Sequence, residues 1–192
     1  PESTDEIQDL TRSLRLISQN AKELLEKVEK LSLKDKLTGL YNSVYIRERL
    51  DEEIQRAIHY QRPCAFAFLQ IQNYDAFVSL RGEVGAEQVL KNVAGVLSTN
   101  LRQFDRAARV GHGDFVIIFP DRNKKRAIEI MEAVAQQISR LTFASGSGER
   151  LLPCVGVSEN PIDGVQADGL FVKAQDRMKT AKASGKPVEA FA

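Results

Sequence analysis

The chain has 192 residues, 43% of them hydrophobic and 28% charged, the composition of a globular protein able to bury a core. Its 27 Lys and Arg against 26 Asp and Glu leave a net charge of +1, which excludes the basic excess of a nucleic-acid or membrane-surface binder. No apolar run reaches the roughly 18–20 residues of a membrane span, and the polar, acidic opening Pro1–Glu6 does not read as a secretory signal.

Along the chain, the first segment stands apart. Ile7, Leu10, Leu14, Ile17, Ala21, Leu24, Val28 and Leu31 form an unbroken a/d heptad series with no Gly or Pro between them. So narrow an apolar stripe is best buried against a copy of itself, so residues 1–33 are expected to be a coiled-coil helix of a homodimer. A helix folded back on the domain would show a wider stripe. From residue 34 to 192 one domain is expected.

Within it, residues 44–60 are predicted helical, and Ala65–Ile71 is an apolar run with the length of a buried strand. Val84, Val89, Leu90, Val93, Val96 and Leu97 predict a helix over 84–101. Two short strands, Arg106–Val110 and Phe115–Pro120, flank Gly111-His112-Gly113-Asp114, a hairpin signature. A helix at 124–141, a strand near Leu151–Val157, a helix at 167–184 and a short last run complete the order. After the first helix the pattern is β-α-β-β-α-β-α, which contains the βαββαβ split arrangement. The expected fold is therefore α+β, a ferredoxin-like central antiparallel sheet flanked by helices and preceded by a long N-terminal helix. The cysteines, Cys64 and Cys154, are too few for a disulfide framework, which makes a reducing, cytoplasmic setting the expectation.

Four stretches, at matching spacing over residues 35–185, resemble a GGDEF domain, the fold of bacterial diguanylate cyclases. Asp35-Lys-Leu-Thr-Gly-Leu-Tyr-Asn42 resembles the opening D-x-L-T-G-L-x-N turn. Gln70-Ile-Gln-Asn-Tyr74, with Gly82 and Glu87-Gln-Val-Leu90, resembles the strand–helix segment D-x-D-x-F…G…G-D-x-x-L. Arg109 to Phe115 stands where R-x-G-G-D-E-F belongs, and Ala174 to Gly185 resembles the closing A-D-x-A-L-Y-x-A-K-x-x-G. The likeness implies a nucleotide-cyclase-type sheet.

The resemblance also implies where catalytic chemistry would sit. Family cyclases hold two divalent metals on GTP with carboxylate oxygens, the hard ligands such ions require. The two positions are Gln70 and Gly113 here, so neither offers a carboxylate. Asp114 replaces the fourth-position Glu, and His112 follows Gly111 where a second glycine would let phosphate approach the backbone. The guanine-recognising Asn is Val78, its Asp partner is Glu87, and the Lys of F-K is Asp75. Phosphoryl transfer depends mainly on electrostatic clamping of the phosphates, so the expectation is a degenerate cyclase with no catalytic residues, no metal and no cofactor.

Arg102-Gln-Phe-Asp105 matches R-x-x-D, the family's inhibitory site for its product cyclic di-GMP. With 15 arginines and 11 aspartates the pattern alone arises by chance. Its position gives it weight, since five residues separate Asp105 from Gly111, as the resemblance requires. An i, i+3 pair at a helix end would project both side chains to one side. Arg would donate a fork to guanine O6 and N7 or to phosphate, and Asp would accept from N1–H and the N2 amine. Arg126 and Arg140 are candidates for a helper arginine.

Three readings follow. A cyclic di-GMP receptor module without catalysis is favoured by Arg102 and Asp105. A structural transmitter would bind partner proteins and no nucleotide. An active cyclase is opposed by Gln70 and Gly113. Under the first two, a protein output partner is expected, and the chain can be the cytosolic part of a larger membrane-bound sensor.

Overall fold

The computed structural model describes residues 11–22, 32–141, 150–185 and 187–189. The chain divides into two compact units, Pro1–Leu33 and Lys34–Ala192.

In the first unit, residues 11–22 form a helix, α1. Leu14 and Ile17 lie exposed on it, as does Leu16. Ile7, Leu10, Leu24, Val28 and Leu31 of the heptad series lie outside the described residues.

The second unit opens with a turn. The Asp35 carboxylate accepts from the Thr38 N–H at 2.9 Å and from its hydroxyl at 2.6 Å, while Gly39 takes a φ of 70°, a left-handed conformation that costs glycine nothing. Asn42 then caps α2 (Ser43–His59), accepting from the Tyr45 N–H. Ile46, Leu50, Ile54 and Ala57 form its buried face.

Strand β1 (Cys64–Ile71) is followed by α3 (Tyr74–Asn100), then the hairpin β2 (Arg106–Arg109) and β3 (Asp114–Pro120). Helix α4 (Lys124–Ser139), strand β4 (Pro153–Asn160), helix α5 (Ala167–Ser184) and a short β5 (Val188–Glu189) complete the unit. The sheet order is β2-β3-β1-β4-β5. The first four strands pair antiparallel and β5 runs parallel to β4. This is the α+β architecture expected from the order of elements.

Strand β1 is central and covered on both faces, which explains its continuous apolar run. One face carries Ala65, Ala67 and Leu69 in a core with Val89, Leu90, Val93 and Leu97 of α3 and Met131, Val134 and Ile138 of α4. The other carries Phe66 and Phe68 against α2 and α5. Gly156 of β4 lets α5 lie directly on the strand, since a Cβ there would fall 2.0 Å from the Ala174 carbonyl oxygen.

Two boundaries differ most from expectation. Helix α3 begins ten residues early because two helical segments meet at Gly82, whose φ of 67° and ψ of 178° break the α-helical geometry. Only the second segment carries the long periodic stripe. Strand β4 runs on through Ser158, Glu159 and Asn160, buried polar residues that end the apolar pattern. The Ser158 hydroxyl donates to the Leu170 carbonyl at 2.8 Å, and the Asn160 amide to that of Gly164 at 3.1 Å. Tertiary hydrogen bonds thus permit polar burial that periodicity alone would reject.

Candidate functional site

Antiparallel pairing brings Asp114, Gln70 and Cys154 into one row across β3, β1 and β4. The Gln70 amide Nε2 donates to Asp114 Oδ1 at 2.9 Å. Gly113 is buried, and its carbonyl accepts from the Ile71 N–H at 2.9 Å. A Cβ on Gly113 would meet the Tyr74 Cβ at 2.9 Å and Cγ at 3.1 Å. At Gly111 it would meet Asp114 Oδ2 at 2.8 Å. His112 is exposed on the turn. Gln70 and residues 111–114 are therefore brought together. Val78 and Glu87 lie on α3 on either side of the Gly82 break, Val78 against the core and Glu87 exposed.

Two features at this end of the sheet were not foreseen. Arg109 donates through Nε to the Gly111 carbonyl at 3.0 Å and through Nη1 to Asp35 at 3.4 Å, tying the hairpin turn to the opening Asp-x-Leu-Thr-Gly turn. Cys154 donates its thiol to Gln72 Oε1. Burial pushes that thiol's pKa up, with Lys182 opposing, so the sulfur stays a protonated donor at neutral pH.

The second candidate site lies in the α3–β2 connection, and one expectation is corrected. Helix α3 ends at Asn100 and Leu101 is extended, so Arg102–Asp105 is a turn closed by the Asp105 N–H to the Arg102 carbonyl at 3.1 Å. The two side chains meet in an ion pair but differ in access. Arg102 is 49% exposed, whereas the Asp105 carboxylate is 0% exposed. Asp105 accepts from the Arg102 N–H at 2.8 Å and from its guanidinium at 3.3 Å. The Arg102 guanidinium also donates to the Pro120 carbonyl at 3.3 Å.

Neither expected helper arginine meets this carboxylate. Arg126 donates to Glu129 on the exposed face of α4, and Arg140 is the C-cap at the far end of α4. Arg122 reaches Asp105 instead, Nη1 to Oδ2 at 3.5 Å. The hairpin register held the clue. Arg106 pairs with Ile118, so the residues just after β3 return beside those just before β2.

Comparison with known proteins places the chain in a family. The family described as "Diguanylate cyclase, GGDEF domain" matches residues 32–187. The response regulator PleD of Caulobacter vibrioides is 30% identical over 159 residues, 81% of this chain and 35% of PleD; the chain thus spans about a third of that relative's length. Among solved structures, the coiled coil and GGDEF domain of DgcB from Caulobacter crescentus, in complex with c-di-GMP, gives a TM-score of 0.79. That match has 21% identity and covers 96% of this chain and 99% of DgcB. The diguanylate cyclase SiaD of Pseudomonas aeruginosa, in complex with its activator SiaC, gives 0.77 with 24% identity, covering 100% of this chain and 74% of SiaD. No helix among the described residues is long and apolar enough to cross a membrane.

Proposed function

Because the chain belongs to the diguanylate cyclase GGDEF-domain family, we propose that it is a member without cyclase activity that acts as a cyclic di-GMP receptor through Arg102 and Asp105. The observation that carries the reading is the contrast between the two sites. In the Arg-x-x-Asp turn a half-exposed guanidinium is held in place by a buried carboxylate. At the sheet end the donor set is a glycine, a neutral amide and one carboxylate that already accepts from that amide. Such a set does not fit a pair of divalent cations, which take hard, charged oxygens. That DgcB is known in complex with c-di-GMP is in keeping with a receptor role.

Calorimetric titration tests the reading. The full chain is expected to bind cyclic di-GMP, and Arg102→Ala to bind at least about tenfold more weakly, the loss of a charge-assisted hydrogen bond of about 1.5–3 kcal/mol. Arg102 is the right residue to remove because it is exposed enough to be deleted without opening the core. No turnover of GTP is expected with Mg²⁺ or Mn²⁺. Turnover by the purified chain would overturn the inactive reading, and absence of cyclic di-GMP binding would leave a partner-binding transmitter that takes no nucleotide.

The same reading makes the chain a homodimer through its first helix. Leu14 and Ile17 are 59% and 64% exposed on α1, apolar side chains at a/d positions that a second copy would cover. The paired change Leu14→Asp and Ile17→Asp in the full chain is expected to shift its mass by light scattering from dimer to monomer. A variant that stays dimeric moves the seam elsewhere.

A further inference from the structure

On the sheet face that carries Phe66 and Phe68, helices α2 and α5 leave a cavity of about 190 Å³ between them. Apolar cavities of about 150 Å³ take up benzene, so this one has room for a single ring with a short substituent. Its floor is aromatic. The Phe171 ring of α5 meets Phe68 edge-on and Phe66 at a tilt of 36°, each with 5.5 Å between centroids. Aromatic faces and edges of this kind receive a further flat ring.

The polar part of the lining is anionic. Arg47 of α2 pairs with Asp168 of α5 at 3.6 Å and lies over the Phe171 ring at 5.5 Å, so its charge is already engaged on the solvent side. Asp114 adds a second carboxylate, which gives two anions against one cation. Its Oδ1 accepts from Gln70, but among the described residues nothing donates to Oδ2. The half-buried Gln175 amide of α5 has no hydrogen bond among them either.

We infer that the cavity between α2 and α5 binds a single-ring organic cation, an aromatic ammonium or amidinium. Its ring lies on Phe171, Phe68 and Phe66, and its charged end donates to Asp114, with the Gln175 carboxamide as a second acceptor. The ring supplies the apolar burial, and the cation supplies the charge-assisted hydrogen bonds that the free carboxylate oxygen lacks. The cavity is separate from Arg102 and Asp105, neither of which lines it, and from Val78, which packs in the core on the opposite face of the sheet. Its lining comes from α2, α5, β1 and the β2–β3 hairpin, so an occupant ties these elements together and stabilises the folded chain by mass action.

Benzamidine is the probe, since its planar cation matches a carboxylate in shape, and benzoate is the control, similar in outline and opposite in charge. In titrations of the full chain followed by NMR, benzamidine is expected to bind saturably and to raise the melting temperature. Benzoate is expected to bind at least about tenfold more weakly. Asp114→Asn keeps an acceptor for the Gln70 amide and loses the charge, so benzamidine should bind this variant at least about tenfold more weakly, at an unchanged melting temperature of the free protein. Wild-type affinity in a folded Asp114→Asn would place the cation elsewhere and overturn the inference. Equal affinity for benzoate, or no saturable binding of benzamidine, overturns it as well. If Asp114→Asn fails to fold, the comparison of the two probes on the wild type decides. Each of these results leaves the cyclic di-GMP reading as it stands.

Discussion

Restoring the family's carboxylates by Gln70→Asp and Gly113→Asp is expected to yield a protein that still makes no cyclic di-GMP and is markedly less stable. Gly113 is buried, and its missing side chain is the space that Tyr74 fills. A Cβ there would lie 2.9 Å from the near end of the Tyr74 side chain and 3.3 Å from the Ile71 carbonyl oxygen. The near end of a side chain cannot swing away as a flexible tip can, so either Tyr74 or the Ile71–Gly113 backbone pairing must move. Overpacking of this kind typically costs about 1–3 kcal/mol, and burying a carboxylate beside a carbonyl adds to it. Gln70→Asp compounds the loss, because the amide that donates to Asp114 would become a second anion facing it at close range. Thermal unfolding of the two single variants and the double variant, alongside a GTP turnover assay, checks both halves. A double variant that melts with the wild type would mean Tyr74 yields freely, and one that turns over GTP would mean the remaining site is competent. Gly113→Ala separates the steric part from the charge, and most of the stability loss is expected to appear in it already.

This packing shows where sequence reading stopped. The substitutions at positions 70 and 113 were legible, because a motif with fixed spacing assigns each residue a place. That Tyr74 had filled the space behind Gly113 was not, since nothing in the spacing says which side chain lies on the other side of a turn. Helix α5 and strand β1 fell close to their expected bounds, β1 because its apolar run is uninterrupted. The first turns of α3 were missed because Gly82 cuts the stripe before it can register as a helix. The end of β4 was missed because Ser158, Glu159 and Asn160 are buried by virtue of partners elsewhere in the chain. Arg122 was missed for a related reason: an Arg-x-x-Asp pattern is local, while the second arginine arrives through the β2–β3 pairing. Chemistry carried within one segment can be read in advance. Chemistry assembled across the sheet needs the register.

The largest loss of stability by a single charge is expected at Asp163, a residue outside every family motif. Its carboxylate takes a two-pronged ion pair from Arg177, Nη1 to Oδ2 at 2.6 Å and Nη2 to Oδ1 at 2.7 Å, and accepts from the Glu159 N–H at 2.9 Å. Lys124 approaches the same oxygen at 3.5 Å, and the side chains of Asp163, Arg177 and Lys124 are 8%, 12% and 10% exposed. Burial alone would raise the Asp163 pKa, but Arg177, the Glu159 N–H and Lys124 together hold it below the ordinary carboxylate range. A carboxyl group whose pKa is depressed on folding stabilises the protein above its unfolded pKa, near 4, and that contribution fades as pH falls through the folded value. Asp163→Ala leaves two mostly buried cations without their anion, a change that costs about 3 kcal/mol at neutral pH. For a domain of this size that is a fall of about 6–12 °C in melting temperature. The gap between variant and wild type should narrow below about pH 4, where the wild type itself loses the charge. A gap independent of pH would show that Asp163 acts through packing and not through its charge. The consequence reaches the Arg-x-x-Asp turn, because Lys124 opens α4 and its N–H donates to Glu159, while Arg122 pairs with Asp105. The first turn of α4 is thus fastened to β4 two residues beyond Arg122. Under the proposed receptor reading, loosening that turn should weaken cyclic di-GMP binding in Asp163→Ala even at temperatures where the domain remains folded, and the effect should be smaller than that of Arg102→Ala.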